Sequence, residues 1–461
     1  MTFIGSNKCK KSHLLVAISV KKCNICYMYR SIYNKLKEWK NSPVRKPLIL
    51  YGARQVGKTW LLREFGSREF NRTIYLNFDT DHRIHSFFSD DISPPGIIRG
   101  LENHFNEKID PSSTLLIFDE IQECQRAKDS LKYFNEDTPQ YHIAAAGSFL
   151  GIAGGKFPVG QVNELTLFPM SFAEFLDATE HGILKETLLD KSLSFNDVSL
   201  SHDLFIRKLK EYLFVGGMPE AVKTFAETED FNAVRNVQDT ILNNYRNDFS
   251  KHISGINIPK VRMLWDSIPS HLAKEKKKFI YREIKTGGRA SEFEDALNWL
   301  INTGLVYRID RITDPKIPLS AYGERDHFKL YMIDTGLLAA KSLLDISCIL
   351  DSGTSVFTEF KGALTEQYAL QELIASGNLP VFYWGNSEGK AEVDFIVQHK
   401  NEIIPLEVKS SINTKSQSLA VYMEKYKPAY AVRSSLKKYG KDKQLFSVPL
   451  YMIYRLTDIL V

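Results

Sequence analysis

The stretch that most constrains this chain is residues 47–62, PLILYGARQVGKTWLL. Its apolar run, 48–51, reads as a buried strand. The strand leads into GARQVGKT, which fits G-x-x-x-x-G-K-[ST] from Gly52 to Thr59, and then into a segment that can continue as a helix. The spacing has a physical reason. Gly52 and Gly57 carry no Cβ, so the backbone can wrap an anion closely. The N–H groups of Gly52, Ala53, Arg54, Gln55, Val56 and Gly57 can then point inward as a nest for phosphate oxygens. A helix starting near Lys58 adds the positive end of its dipole. Lys58 is expected to reach the β- and γ-phosphates, and the Thr59 hydroxyl to sit on Mg²⁺. ATP and Mg²⁺ are therefore the expected cofactors. An accidental glycine-rich turn would not require the strand and the helix that flank this one.

A second element, LLIFDE, ends with Asp119 and Glu120. Its apolar residues read as a buried strand, and carboxylates at the C-terminal end of such a strand lie where open parallel sheets bind ligands. Asp119 is expected to hold Mg²⁺, directly or through water. Glu120 is expected to orient and polarise the attacking water. In AAAGS, Ser148 follows another strand and can hydrogen-bond the γ-phosphate or the water; the plainer reading is a Gly-Ser turn. The catalytic set expected is thus Glu120, Lys58 and Ser148. Gln122 and Arg54 also fall near the phosphates. Arg126, Arg207 and Arg246 are candidates for an arginine finger.

At 461 residues the chain has room for about three domains. Its 43% hydrophobic and 25% charged residues are ordinary for a globular protein. A net charge of +5 permits a nucleic-acid partner without requiring one. Five scattered cysteines make no disulfide framework, which fits a reducing cytoplasm. Cys23 and Cys26 form a C-x-x-C with Cys9 upstream, but no further ligands follow at zinc spacing, so free thiols are expected. No apolar run approaches the roughly 20 residues that span a bilayer, so no membrane partner is expected. The short apolar run 14–20 lacks a cleavage site and is not read as a signal peptide.

Residues 1–27 read as disordered or as an extended start. From 28 to 180, short apolar runs alternate with helical ones. Strands are expected at 48–51, 73–78, 115–118, 142–146 and 162–167, an α/β parallel-sheet core of P-loop NTPase (AAA/ASCE) type. Residues 181–270 read as a helical lid region, broken at Gly216, Gly217 and Pro219. Residues 271–320 run helix, turn, helix and strand, the order of a winged helix-turn-helix. Residues 321–461 read as an α/β domain.

That last region carries AEVDFIVQHKNEIIPLEVKSS, read as a hairpin over 391–410. Glu407 and Lys409, two apart on one strand, share a face, while Leu406 and Val408 point to the core. Asp394 lies on the partner strand, whose Val393, Phe395 and Val397 are expected inward, and Glu366 lies on an upstream helix. Glu366, Asp394 and Glu407 with Lys409 could bind a second divalent ion. Equally, these could be charged residues on an exposed hairpin. Basic residues cluster at Lys274, Lys276, Lys277, Lys278, Arg282, Lys285 and Arg289, and again at Arg433, Lys437, Lys438, Lys441 and Lys443. Such runs are usually solvated surface; beside a helix-turn-helix pattern they point to phosphate contacts and hence to DNA.

From about residue 28 to the end, the chain resembles a bacterial and archaeal family of AAA-type P-loop ATPases with a C-terminal domain of uncharacterised function. The carriers are PLILYGARQVGKT, LLIFDEIQE, AAAGSFLG, LTLFPMSFAEFL, VGGMPEAV, FKLYMIDTGLL, KGALTEQYALQEL and EVDFIV with IIPLEVKSS. The resemblance implies an ATP-binding ATPase core. The last motif resembles the PD-(D/E)xK signature of Mg²⁺-dependent DNA nucleases, with a restriction-endonuclease-like fold. Asp394, Glu407 and Lys409 match its acid and acid-x-lysine positions, and Glu366 matches the upstream helical acid. The signature's proline is Val393 here. Two readings follow. In one, an ATPase cycle controls a DNA-acting C-terminal domain. In the other, a slow nucleotide switch regulates contact with DNA or a protein, and the four residues are structural. A second copy of the chain remains open as a partner.

Overall fold

The computed structural model describes residues 28–89, 91–148, 160–253, 257–274, 277–350, 358–377, 379–410 and 416–460. Cys9, Cys23, Cys26, the run 14–20 and Lys276 lie outside the described residues. Cys124 and Cys348 are free thiols.

The first sheet has β1 (Leu48–Tyr51), β2 (Arg72–Asn77), β3 (Thr114–Asp119), β4 (His142–Ala146) and β5 (Asn163–Thr166), in the order β2-β3-β4-β1-β5. All its pairings are parallel. β3 and β4 are buried along their whole length, as a strand covered on both faces must be. Side chains alternate between two cores with the period of a strand. Leu115, Ile117, Ala144 and Ala146 join one core; Leu116, Phe118, Ile143 and Ala145 join the other. Helices Tyr33–Asn41 and Lys58–Glu69 pack against the first, and Pro94–Phe105 and Gln125–Asp137 against the second.

The second sheet is mixed and eight-stranded, in the order β12-β13-β11-β10-β9-β8-β6-β7. Its strands are β6 (Val306–Ile312), β7 (Glu324–Met332), β8 (Val381–Gly385), β9 (Glu392–His399), β10 (Glu402–Val408), β11 (Ala431–Ser435), β12 (Gly440–Asp442) and β13 (Leu445–Pro449). The hairpin β6–β7 follows helix Ala290–Asn302, in the order expected of a winged helix. It does not stand apart, however. β6 pairs in parallel with β8, Arg311 opposite Tyr383 and Ile312 opposite Trp384. The division expected at 320/321 therefore falls inside a hairpin that belongs to the C-terminal sheet. Val306, Ile309 and Ile312 of β6 are buried, but its partner β8 is distant in sequence.

Between the sheets lie helices Gly182–Leu189, His202–Val215, Pro219–Thr228, Phe231–His252 and Ile258–Leu272. One apolar core continues from Leu36 and Leu50 through Phe205, Leu264, Leu300 and Leu330 to Ile453. Among the described residues, no helix is long and apolar enough to cross a membrane.

A buried polar knot ties these regions together. Asp334, with no exposed surface, accepts from Gly217 N–H at 2.6 Å, Leu337 N–H at 3.0 Å and Gln371 Nε2 at 3.3 Å. Gln371 Nε2 also donates to the Tyr212 hydroxyl at 2.8 Å, and that hydroxyl donates to the Met170 carbonyl. Gly216 sits at φ 74°, and a Cβ there would overlap the Asp334 carboxylate. Nearby, Glu372 Oε1 accepts from Phe172 N–H at 2.8 Å.

Burial pushes the Glu372 carboxyl up to about 8. Unfolded, the group titrates near its ordinary value, so between there and 8 the folded state binds more protons. Its contribution to stability is greatest in acid and is lost as pH rises toward 8. Glu372→Gln keeps an acceptor for Phe172 N–H without the charge. Thermal melts from about pH 5 to about pH 8 should show the variant flattening this fall and gaining a few degrees at pH 8. An unchanged slope would refute this assignment.

Candidate functional site

The turn from β1 into helix Lys58–Glu69 has the backbone that the spacing anticipates. Gly52, Gln55 and Gly57 have φ of 145°, 66° and 96°. A Cβ on Gly52 would overlap the Leu167 carbonyl. Buried Arg30 props the loop from outside: it donates to the Val56 carbonyl at 2.9 Å and pairs with Glu174 at 3.2 Å.

Within the loop, Lys58 Nζ donates to the carbonyls of Gly52 at 2.7 Å and Ala53 at 2.8 Å, and to Ser148 Oγ at 2.9 Å. Burial lowers its pKa to about 8, although Glu120 and Asp119 pull it upward. A buried ammonium whose hydrogen-bond acceptors are neutral oxygens fits an incoming phosphate. Thr59 Oγ1 donates to Asp119 Oδ2 at 2.7 Å, and the Tyr75 hydroxyl donates to the same oxygen at 2.7 Å. This alcohol–carboxylate pair is an oxygen donor set suited to Mg²⁺. Glu120 holds φ 51°, a left-handed conformation uncommon outside glycine. Gln122 Nε2 donates to Glu120 Oε2 at 2.6 Å.

The middle region touches this loop directly. Asp248 on helix Phe231–His252 pairs with Arg54, and the Tyr245 hydroxyl donates to the Arg54 carbonyl at 2.9 Å. Arg54, Gln55, Asn244, Tyr245, Asn247 and Asp248 line a cavity of 420 Å³. Sequence reasoning missed this contact, because a helix that meets a loop nearly two hundred residues away leaves no local signal. Of the arginine candidates, Arg126 donates to the Phe88 carbonyl and Arg246 pairs with Asp266 at 2.8 Å.

The expected acids do gather in the C-terminal region. A cleft of 670 Å³ is lined by Glu366 from helix Thr358–Ala375, Asp394 from β9, Glu407 from β10 and Lys409 just beyond. Asp394 owes its aim to a bulge. Phe382 pairs with Ile396 and Trp384 with Val393, so β9 spends one extra residue there. The same bulge puts Val393 in a different apolar cluster from Phe395 and Val397, against the simple alternation expected. Leu406 and Val408 do join the main core.

Asp394 Oδ2 accepts from Val408 N–H at 2.8 Å. Burial raises the Asp394 carboxyl well above the usual range, and Glu366 and Glu407 add to this. Burial would raise Glu366 too, but Lys277 and Lys329 outweigh it and hold Glu366 low. Lys277 Nζ bonds Glu366 Oε1, and the Tyr331 hydroxyl donates to Oε2 at 3.2 Å. Lys409 pairs with Glu407 Oε1 at 2.6 Å, and Ser416 Oγ donates to that oxygen at 3.0 Å. Glu407 Oε2 is buried without a hydrogen-bond partner. Among the described residues, no three acid, histidine or cysteine groups stand close enough together to hold a metal ion as posed. Lysines take up carboxylate oxygens instead.

Lys277, Lys329, Tyr331 and Glu392 are site residues that the sequence reading did not assign to the acids. Lys329 has no exposed surface and pairs with Glu392 at 2.5 Å. A lysine inside the apolar run FKLYMI was a legible sign. The basic cluster is divided: Lys274, Lys277 and Lys278 line the cleft beside Arg311 and Lys390, whereas Lys285 pairs with Glu292 at 2.9 Å.

Comparison with known proteins agrees with the parallel-sheet core. Residues 44–176, which include the parallel sheet and the phosphate loop, match a family described as AAA domain. Residues 206–347 and 361–453 match two domains of unknown function, DUF8612 and DUF4143. No curated protein matches the chain. Among solved structures, the Walker-type ATPase PABY2304 of Pyrococcus abyssi is 14% identical, covering 68% of this chain and 96% of its own, with a TM-score of 0.43. The Aeropyrum pernix ORC1 protein in complex with DNA is 13% identical, covering 70% and 95%, with a TM-score of 0.29. The Thermotoga maritima RuvB Holliday junction branch migration motor is 12% identical, covering 61% and 90%, with a TM-score of 0.29. These are distant likenesses.

Proposed function

We propose that this chain is a Mg²⁺-dependent ATPase whose nucleotide cycle controls a DNA-interacting C-terminal cleft. The observation that carries the coupling is the grip of the middle region on the phosphate loop, through Asp248–Arg54 and Tyr245. A phosphate drawing on Arg54 would compete with Asp248, and the helix bearing Asp248 packs into the core shared with the C-terminal sheet.

In the ATP site, Lys58 and the loop N–H groups bind the β- and γ-phosphates. Thr59 and Asp119 would hold Mg²⁺, which supplies charge stabilisation at the phosphates. Glu120 orients the attacking water, Gln122 holds Glu120, and Ser148 stands beside Lys58 at the γ-phosphate end. In the cleft, Glu366, Asp394 and Glu407 would hold a second divalent ion; the unpartnered Glu407 oxygen fits this role. The lysine and arginine rim suits a phosphodiester backbone, with helix Ala290–Asn302 and hairpin β6–β7 as a winged element beside it. A second reading, a slow switch without nuclease activity, is favoured by the lysines already paired with Glu366 and Glu407.

Lys58→Ala should abolish ATP binding, while Glu120→Gln should keep binding and lower single-turnover hydrolysis by about a hundredfold or more. Hydrolysis by Glu120→Gln at the parental rate would refute the assigned role. Lys278→Glu combined with Lys390→Glu should weaken DNA binding and lower the slope of log affinity against log salt by about 1 per lost contact. An unchanged slope would mean that these lysines are solvated surface only.

A further inference from the structure

Glu366 and Glu407 stand at opposite stages of readiness for a cation. Both oxygens of Glu366 are taken, Oε1 by Lys277 and Oε2 by Tyr331. Glu407 keeps Oε2 buried and without a hydrogen-bond partner, on a side chain only 4% exposed. Tyr331 is a neighbour from the C-terminal sheet, whereas Lys277 is not. Lys277 follows helix Ile258–Leu272, in the stretch that links the middle region to helix Ala290–Asn302, and it reaches the acid across the cleft.

We infer that Lys277 is the resident cation of the C-terminal acid site, occupying at Glu366 the place that a divalent ion would take. This rests on the proposed second metal site. Coulomb repulsion in a partly enclosed cleft disfavours an ammonium and a divalent ion on one carboxylate oxygen, so the two compete. The three lysines around the acids are not equivalent. Lys329 is fully buried against Glu392 and the Tyr383 ring, and it backs the site permanently. Lys409 is 32% exposed and leaves the second Glu407 oxygen open. Lys277 is the lysine on the acid that keeps no open oxygen. The main chain two residues on is anchored, Phe279 N–H being bonded to the Phe328 carbonyl of β7 at 2.8 Å. A swing of the side chain toward the rim, where a backbone phosphate would receive it, empties the oxygen. Metal entry is thereby tied to an anionic ligand in the cleft and to the placement of the middle region.

The test titrates Mn²⁺ into the nucleotide-free full chain, reading free Mn²⁺ by electron paramagnetic resonance. Lys277→Met should bind Mn²⁺ about tenfold or more tightly than the parent. Lys277→Arg, which keeps the charge, should behave as the parent, and Asp394→Asn in the Lys277→Met background should cancel the gain. Loss of the buried pair removes one of the two lysines that compensate Glu366, so Lys277→Met should melt lower than the parent and be restored by Mn²⁺; this melt also reports that the variant is folded. Equal, Asp394-dependent Mn²⁺ affinity in the parent and in Lys277→Met would overturn the role of Lys277 and leave the metal site standing. Absence of Asp394-dependent binding in folded Lys277→Met would overturn both.

Discussion

A carboxylate with no exposed surface is costly unless its oxygens are satisfied, and Asp334 meets that cost with a local donor, Leu337 N–H of the helix it caps, and with the distant donors Gly217 N–H and Gln371 Nε2. Gly217 belongs to the break between two middle helices, Leu337 to the helix after β7, and Gln371 to the helix that carries Glu366. Gln371 passes the connection on to Tyr212, which bonds the Met170 carbonyl at the exit of the first sheet. Losing the Gly217 or Gln371 donor would leave the buried carboxylate less satisfied, so the regions are set relative to one another by hydrogen-bond geometry as well as by apolar contact. The glycines follow from this: at Gly216 a side chain would occupy the space of the carboxylate itself.

Given that fixed frame, both candidate sites lie where one region completes another. The phosphate loop is built by β1 and the helix after it, yet its Arg54 is held by Asp248 and Tyr245 of the middle region. The acid cleft is built by β9, β10 and the helix Thr358–Ala375, yet Lys277 of the middle region sits on its Glu366. The middle region thus touches both candidate sites, through helix Phe231–His252 at one and through Lys277, beyond its last helix, at the other, a suitable arrangement for passing a nucleotide state to a distant cleft.

Much of the first sheet was legible because its signals are local. Short apolar runs bounded by turns mark the strands, and the spacing of Gly52, Gly57, Lys58 and Thr59 encodes a backbone path directly. Glu366, Asp394, Glu407 and Lys409 were legible as a set through their motif, and they do line one cleft. What stayed hidden depends on pairing between distant segments. The β6–β8 ladder merges the hairpin with the C-terminal sheet, and no residue of β6 names its partner. The bulge at Asp394 is a mismatch between two strands and cannot be seen in either alone. Lys277 read as one more member of a basic run, because its acid partner lies 89 positions away.

The account stands or falls on whether the nucleotide site and the cleft share a free energy, which linkage requires to be reciprocal. The most direct measurement is the ATP affinity of the full-length Glu120→Gln chain, with Mg²⁺, in the absence and presence of saturating duplex DNA. The account predicts a change of about fivefold or more in the dissociation constant for ATP, matched by the same factor for DNA when ATP is added. Identical ATP affinities with and without bound DNA would contradict it.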